Sequence, residues 1–285
     1  RIISLPHPLS QLYMVAFINT YGDLMLNYYN QISIFSVRYP LKKSSIVKKD
    51  VDYIKNYIDK YTDDKEIVNN EEILDYVDSY YIKTKFKKIT NFYSSRMLKK
   101  FEQKYKCMLK IDYQDCFYRI YTHSIDWAYL GKKETAKSNI SNYPRFSAIL
   151  DSLVQNMNYK ETSGVLVGPE FCRWVAEIVL CRVDRMVYDK LKDKGIIFKR
   201  NYDVVRFVDD IFVFSNDTNI LNEINDQYHK LSSEYKLSIN DQKSYIENRP
   251  FIRKHYWVEK IKEIYRDYEL SLKKPLDIKN YQKLL

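Results

Sequence analysis

The sequence predicts an α+β protein in which an antiparallel sheet is flanked by helices. Segment Asp203–Ser215 consists of two runs of β-branched and aromatic residues with two acids between them, which is typical of a β-hairpin. A second apolar segment, Lys106–Asp112, is typical of a short strand ending in an acid. Several other stretches repeat apolar residues at helical spacing. With 285 residues, 45% of them hydrophobic, the chain is long enough for one large domain or two smaller ones.

The N-terminal third is predicted to be mostly helical. The apolar, tyrosine-rich stretch Leu12–Tyr29 suits a buried helix, and Ile32–Lys43 is predicted to be extended. Apolar residues at helical spacing over 51–61 and 73–81 predict two amphipathic helices. In Lys83–Lys106 cations alternate with aromatic residues, which suits contact with nucleic-acid phosphates and bases; a solvated helical face is the alternative.

The remaining elements follow from apolar spacing and from glycine and proline. Only five glycines occur, and two of them, Gly164 and Gly168, lie in one loop, which implies close backbone approach or unusual dihedral angles there. Pro169 then starts a long helix. Helices are predicted from Thr122 onward and over Phe146–Met157, Pro169–Leu191 and Asn219–Tyr235. A last short strand is predicted over Tyr245–Ile246.

The adjacent acids Asp209 and Asp210 lie at the turn of the predicted hairpin. Two ionised side chains at the tip of a buried hairpin repel each other and lose hydration, so a cation should lie beside them. A divalent metal ion is the simplest candidate, and an ordinary solvated turn is the alternative. The pair Asp63-Asp64, in a polar run, is the contrasting case of a solvated loop.

The composition indicates a cytoplasmic protein with an anionic partner. The net charge of +10 favours nucleic acid or a nucleotide. The four cysteines show neither a CxxC pair nor zinc-ligand spacing, so reduced thiols are expected. No run approaches the roughly 18 apolar residues of a membrane span, and no membrane contact is expected.

Asp112, the loop with Gly164 and Gly168, and the acidic hairpin follow one another in an order that suits two-metal phosphoryl transfer. Two Mg²⁺ ions about 4 Å apart need bridging carboxylates to activate a primer hydroxyl and stabilise the leaving pyrophosphate. Asp112 and Asp209 are the candidates to supply them, with Asp210 alongside. Mn²⁺ is the alternative ion.

These motifs resemble those of reverse transcriptases. Ile111-Asp112 with Phe117 resembles motif A, Gly164–Ala176 resembles motif B, and Phe207-Val208-Asp209-Asp210 resembles the aromatic-x-Asp-Asp of motif C. More specific segments resemble the bacterial abortive-infection reverse transcriptases, the AbiK and AbiA group. These segments are Ile120–Ala128 with Gly131-Lys132 and Ala136-Lys137, Gly168–Glu177, and Ile239–Lys243 followed by Pro250-Phe251.

The resemblance implies a fold, a reaction and site residues. The fold would be a palm and fingers, and the reaction would be metal-dependent addition of deoxynucleoside triphosphates to a 3′-hydroxyl. Asp112 and Asp209 would hold the metals, with the Tyr113 carbonyl as an extra ligand and Asp210 in support. The implied nucleotide contacts are Phe117 under the incoming sugar, where it would exclude a ribose 2′-hydroxyl, Gly168, Lys243 near the triphosphate, and Arg38 in the fingers. The alternatives are a core position for Phe117 and solvated surface positions for Lys243 and Arg38.

The abortive-infection group implies a more particular activity. It makes DNA without a template, primed from the protein itself, so the expected product is single-stranded DNA attached to the protein. The expected role is antiphage defence, and the protein is expected to form a homo-oligomer. Motif B here has Leu166-Val167-Gly168 where templated enzymes usually have Pro-Gln-Gly, which removes a template-side contact. An RNA-templated enzyme of the retron or group II intron kind and a non-catalytic nucleic-acid-binding scaffold remain the alternatives.

The resemblance also divides the chain. Residues 1–106 would form a mostly helical, fingers-like part, and residues 107–250 would form the palm with motifs A to D. Residues 251–285 would begin a thumb or a helical C-terminal region.

Overall fold

A computed structural model describes residues 3–43, 81–83, 86, 88–131, 145–251, 260–266 and 268 of the protein. Its strands are β1 (Pro40–Lys43), β2 (Tyr81–Lys83), β3 (Cys107–Asp112), β4 (Tyr202–Phe207), β5 (Asp210–Ser215) and β6 (Tyr245–Asn248). Its helices are α1 (Pro8–Ile32), α2 (Ile89–Tyr93), α3 (Arg96–Lys104), α4 (Cys116–Arg119), α5 (Ser124–Leu130), α6 (Phe146–Met157), α7 (Glu170–Asp193) and α8 (Thr218–Glu234). Residues 260–266 are also helical. The two helices predicted over 51–61 and 73–81 lie outside the described residues, apart from Tyr81, which begins β2.

The antiparallel sheet predicted from the sequence is present, with the strand order β4-β5-β3-β6. β4 and β5 form the predicted hairpin, in which Tyr202 pairs with Ser215 at one end and Phe207 with Asp210 at the other. β3 pairs with the other edge of β5, and β6 pairs with β3. The short pair β1 and β2 forms a separate sheet. The α+β fold class is therefore confirmed.

Alternation of side chains along the strands gives the sheet two buried faces. Ile111 of β3 and Val213 of β5 join the main core, to which α7 and α8 also contribute. We call this side the first face. Met108, Phe212 and Phe214 point the other way into a smaller core, and we call that side the second face.

Long helices cover the first face. α7 begins directly after Pro169, as predicted, and is buried along most of its length. α8 is capped by Asp217, whose carboxylate accepts a hydrogen bond from the Asn219 amide at 2.8 Å. α1 packs against α6 and α7, with Tyr29 fully buried. The prediction of a buried α1 is only partly right, because Leu12 and other apolar residues on its opposite side are exposed.

Helices α2 and α3 cover one end of the second face. Ser95 caps α3 by accepting a hydrogen bond from the Leu98 amide, and Leu98 is buried against the sheet. Phe101 also packs inward, 4.7 Å from the ring of Phe214, whereas the lysines of α3 point outward. In this described part of the basic stretch, the aromatic rings thus pack wholly or partly against the second face, and base stacking stays a prediction. An outward cationic face remains.

Within the described residues, no helix combines the length and the apolar character that crossing a membrane requires.

Candidate active site

The hairpin between β4 and β5 closes with a two-residue turn. Phe207 and Asp210 are the last strand pair, so Val208 and Asp209 form the turn itself. Val208 has a φ of +57°, which two-residue hairpin turns favour but β-branched residues rarely adopt. Holding a residue in such a conformation costs on the order of 1–3 kcal/mol. The surrounding contacts must offset this cost.

The three acids singled out from the sequence meet at this end of the sheet. Asp112 at the end of β3 lies directly opposite Asp210 in the β3–β5 register. The backbone N–H of Tyr113 donates to the carbonyl oxygen of Asp209 at 3.4 Å, which ties the turn to the chain that leaves β3. Asp112 is buried, and the two acids of the hairpin are half-buried.

Two lysines pair with two of these acids. The ammonium of Lys110 lies 2.9 Å from an Asp210 carboxylate oxygen, and that of Lys243 lies 3.3 Å from an Asp112 oxygen. Burial alone lowers the pKa of Lys110, but the hydrogen bond and charge of Asp210 outweigh it, so its pKa is raised. The expectation that a cation lies beside the acids is thus met by lysine side chains.

The donor set also fits a divalent ion. Carboxylate and carbonyl oxygens are the hard ligands that Mg²⁺ prefers, and facing strands bring two carboxylates together here. In the described parts of the chain, however, no group of three or more His, Cys, Asp or Glu side chains is already arranged as a metal cage. A divalent ion bound here would compete with Lys110 and Lys243 for the carboxylates of Asp210 and Asp112.

Tyr113 has its side chain in the core and its carbonyl near the site. Its hydroxyl lies 3.2 Å from the Ser232 oxygen, and burial raises its pKa. A bridge between Tyr113 and Ile239 connects this segment to the chain that precedes Lys243. The Tyr113 carbonyl takes no part in the two hydrogen bonds of that bridge. Its role as a metal ligand stays a prediction.

Phe117 and the glycine loop lie side by side. The carbonyl oxygen of Phe117 accepts a hydrogen bond from the Val165 amide at 2.8 Å, and the half-buried Phe117 ring packs against the main core. Gly164 and Gly168 have φ values of +89° and +127°, which confirms the prediction of unusual dihedral angles. A Cβ at Gly168 would lie 2.6 Å from the side chain of Ile3, so the chain's own N-terminal segment approaches this loop.

Arg38 is not at a solvated surface position. It is 6% exposed, and its guanidinium carbon lies 5.7 Å from the centre of the Phe207 ring. Phe207 immediately precedes the turn, so Arg38 lies close to the hairpin although its role at a phosphate stays a prediction.

Sequence reasoning missed a buried ionic cluster behind the turn. The guanidinium of Arg206 donates to both carboxylate oxygens of Glu177 at 3.0 and 2.9 Å and to Asp184 at 2.7 Å. The same group donates to the carbonyl oxygen of Val208 at 2.9 Å. All three charged side chains are fully buried. The available signal was an arginine within an apolar strand, together with two acids seven residues apart on an apolar helix.

All four cysteines are free and buried. Burial raises the pKa of the Cys172 thiol, at the start of α7, to about 12. This cysteine is therefore a neutral thiol at physiological pH and a packing residue rather than a nucleophile.

Part of the sequence matches a known family. Residues 75–262 match the family model described as reverse transcriptase (RNA-dependent DNA polymerase). No match was found among curated proteins.

Solved structures of telomerases are similar to the chain in part. The apo telomerase of Candida tropicalis is 10% identical with a TM-score of 0.43, over 83% of this chain and 37% of that one. The Candida albicans telomerase in complex with a TWJ fragment of telomeric RNA is 13% identical with a TM-score of 0.37, over 85% of this chain and 34% of that one. The chain thus spans little more than a third of these telomerases.

Proposed function

Because the chain belongs to the reverse transcriptase (RNA-dependent DNA polymerase) family and is therefore a nucleotidyltransferase, we propose that it extends DNA at the acidic end of its sheet. Asp112 and Asp209 would hold the divalent ions, and Asp210 would support them. Bound Mg²⁺ would activate the attacking 3′-hydroxyl and offset charge on the triphosphate. The observation that carries this proposal is the meeting of Asp112 with the acids of the hairpin at one end of the sheet.

Lys243 has the position and freedom for a role at the triphosphate. Its ammonium lies 3.3 Å from Asp112, yet its side chain is 63% exposed. An exposed lysine can move from the carboxylate to an entering phosphate, where it would neutralise charge or protonate the leaving pyrophosphate. Phe117 would stand under the incoming sugar, since it follows the strand of Asp112 and its backbone is hydrogen-bonded to the glycine loop.

We further propose that synthesis needs no template. In addition to the missing glutamine of motif B, the Ser4 amide donates to the Val167 carbonyl at 2.8 Å. The side chain of Ile3 approaches Gly168, although Ile3 itself is 78% exposed. Residues 3–4 therefore contact the loop at which templated enzymes contact the template.

The resemblance to the abortive-infection group extends the proposal to priming and biology. The priming group would be a tyrosine hydroxyl, of which the chain has 28, and the product would be single-stranded DNA joined to the protein. The role would be antiphage defence in a bacterial cytoplasm, carried out by a homo-oligomer.

The decisive experiment is incubation of the purified protein with Mg²⁺ and labelled deoxynucleotides, without template or primer, followed by a denaturing gel before and after protease. We expect label that stays with the protein until proteolysis. Incorporation only after addition of an RNA template and a primer would refute the untemplated reaction, and no incorporation under either condition would favour a scaffold.

A matched pair of variants tests the acidic site in the same assay. Asp209→Asn with Asp210→Asn should abolish incorporation. Asp63→Asn with Asp64→Asn removes the same charge from another adjacent pair, in a polar run, and should leave incorporation unchanged. Equal activity of the two variants would refute the proposed site.

The second candidate is an RNA-templated polymerase, which the description of the matching family favours. Defined homopolymer templates separate the two candidates, because only a templated enzyme lets the template decide which nucleotide is incorporated. Incorporation of dTTP alone on poly(rA) would support the second candidate, whereas the same nucleotide preference on every template would support the first.

A further inference from the structure

We propose that Arg206 is a positioning residue for the reaction, because its guanidinium holds the turn that carries Asp209. The inference rests on the proposed function, in which Asp209 binds the divalent ion. Arg206 acts on the turn through the backbone carbonyl of Val208, the residue before Asp209.

The side chain of Arg206 reaches three elements at once. Its two terminal nitrogens bind the Glu177 carboxylate in parallel, and its Nε binds Asp184, so the guanidinium is fixed against α7. From this fixed position it donates to the carbonyl of Val208 at 2.9 Å. The turn is thereby connected to a long buried helix by a rigid, planar group.

The partners of Arg206 are themselves held. The Ser36 hydroxyl donates to Glu177 at 2.9 Å, and the Tyr228 hydroxyl donates to Asp184 at 3.0 Å. The backbone of Arg206 is also bonded on both sides, to the Phe35 carbonyl and the Val37 amide. Since each acid has a second donor, the guanidinium has little freedom to leave the Val208 carbonyl.

The turn needs such a support because of its own conformation. Val208 is buried and keeps a positive φ that a β-branched residue does not favour. Loss of the bond to its carbonyl lets the turn relax, and Asp209 is the next residue along the chain. Relaxation would therefore move the Asp209 carboxylate relative to Asp112, which reduces metal affinity and turnover without touching the nucleotide site.

The test variant neutralises the whole cluster, because Arg206→Met alone leaves two buried acids without their cation. In the triple variant E177Q/D184N/R206M no charge remains, so the protein should still fold. We expect a rise of about 10- to 100-fold in the dissociation constant for Mn²⁺, measured by electron paramagnetic resonance. The value of kcat for dTTP incorporation should fall by about the same factor, with KM for dTTP nearly unchanged.

A matched control breaks buried polar contacts at the other end of β4. The Tyr105 hydroxyl donates to Asp203 at 2.8 Å on the second face, so Y105F/D203N perturbs the same strand far from the turn. This variant should lower the melting temperature but leave the Mn²⁺ dissociation constant at the wild-type value. If the triple variant binds Mn²⁺ as tightly as the wild type, the proposal is overturned.

A rescue experiment separates positioning from general structural support. Val208→Gly in the triple variant removes the conformational cost of the positive φ. The turn should therefore regain its wild-type backbone conformation, and the Mn²⁺ affinity should recover. Val208→Ala leaves that cost in place and should not restore affinity. Failure of the glycine variant to rescue would overturn the positioning role. If instead the wild type and D209N/D210N incorporate nucleotides equally well, the proposed function fails, and the Arg206 inference fails with it.

Discussion

On the first face of the sheet, Arg206 of the β4–β5 hairpin is fully buried between two acids of α7. On the second face, Asp210 pairs with Lys110, and the neighbouring Asp112 pairs with Lys243; these four side chains are between 11% and 63% exposed. Both sides of one hairpin thus carry ion pairs, but water reaches only those of the second face.

This difference in exposure decides what each set of charges can do. Burial raises the pKa of Asp184, and the charge of Arg206 opposes that shift, so the buried ions depend on one another. The partly exposed lysines can move away from their carboxylates. The carboxylates are then free to bind a metal ion, and the lysines can bind a phosphate. One face is therefore suited to fix the hairpin, and the other is suited to change partners during a reaction.

The largest effect is expected from Asp112→Asn on the second face. If Asp112 holds a divalent ion as proposed, its loss should reduce nucleotide incorporation by at least about 10⁴-fold, or about 5.4 kcal/mol of barrier. The melting temperature should change little, because the lost repulsion by Asp210 offsets the lost ion pair with the mostly exposed Lys243. Asp115→Asn is the control, since Asp115 is exposed three residues away and should tolerate the change. A D112N protein with more than a tenth of wild-type activity would contradict the assignment.

On the buried side, Arg206→Met should destabilise the protein by about 3–5 kcal/mol, because Glu177 and Asp184 lose their cation. Urea unfolding measures the change. The variant E177Q/D184N/R206M should recover most of that loss, since it has no buried charge. Destabilisation of the triple variant equal to that of R206M would show that charge burial is not the cause.

Most of the fold could be predicted because its signals are local. The helix Phe146–Met157 and the hairpin were predicted with their observed bounds or within a residue or two, since apolar spacing marks them. The short helix α4 was not predicted, because its four residues contain no helical repeat. The exposed side of α1 was also missed, since its apolar residues surround the helix and do not reveal which side packs.

The acids of the candidate site were predictable from their order in the chain, but their partners were not. Lys110 lies in an apolar strand, and only the cross-strand register places it beside Asp210. Arg206 and its acids are 22 to 29 residues apart, and their meeting depends on how α7 crosses the sheet. Such pairings are tertiary, and periodicity in the sequence does not encode them.

A smaller effect is expected from Lys243→Met. Removal of its charge should lower kcat by about 10²-fold, the usual contribution of one acid or cation at a leaving group. Stability should be unchanged because the side chain is 63% exposed. Lys230→Met removes an exposed lysine of α8 and should not affect kcat. Equal kcat values for the two variants would place Lys243 outside the reaction.

The smallest effect is expected from Tyr228→Phe, which removes one hydrogen bond to Asp184 and should cost about 1–2 kcal/mol of stability. Burial raises the pKa of Asp184, and the Tyr228 hydroxyl helps to lower it, so the variant raises it further. An acid with a raised pKa in the folded state stabilises the protein at low pH and loses that contribution as the pH rises. The cost of Y228F should therefore be smaller at acidic than at neutral pH in urea unfolding. Tyr113→Phe removes a bond to the neutral Ser232, so its cost should not change with pH, and a parallel pH dependence of both variants would contradict an ionised Asp184.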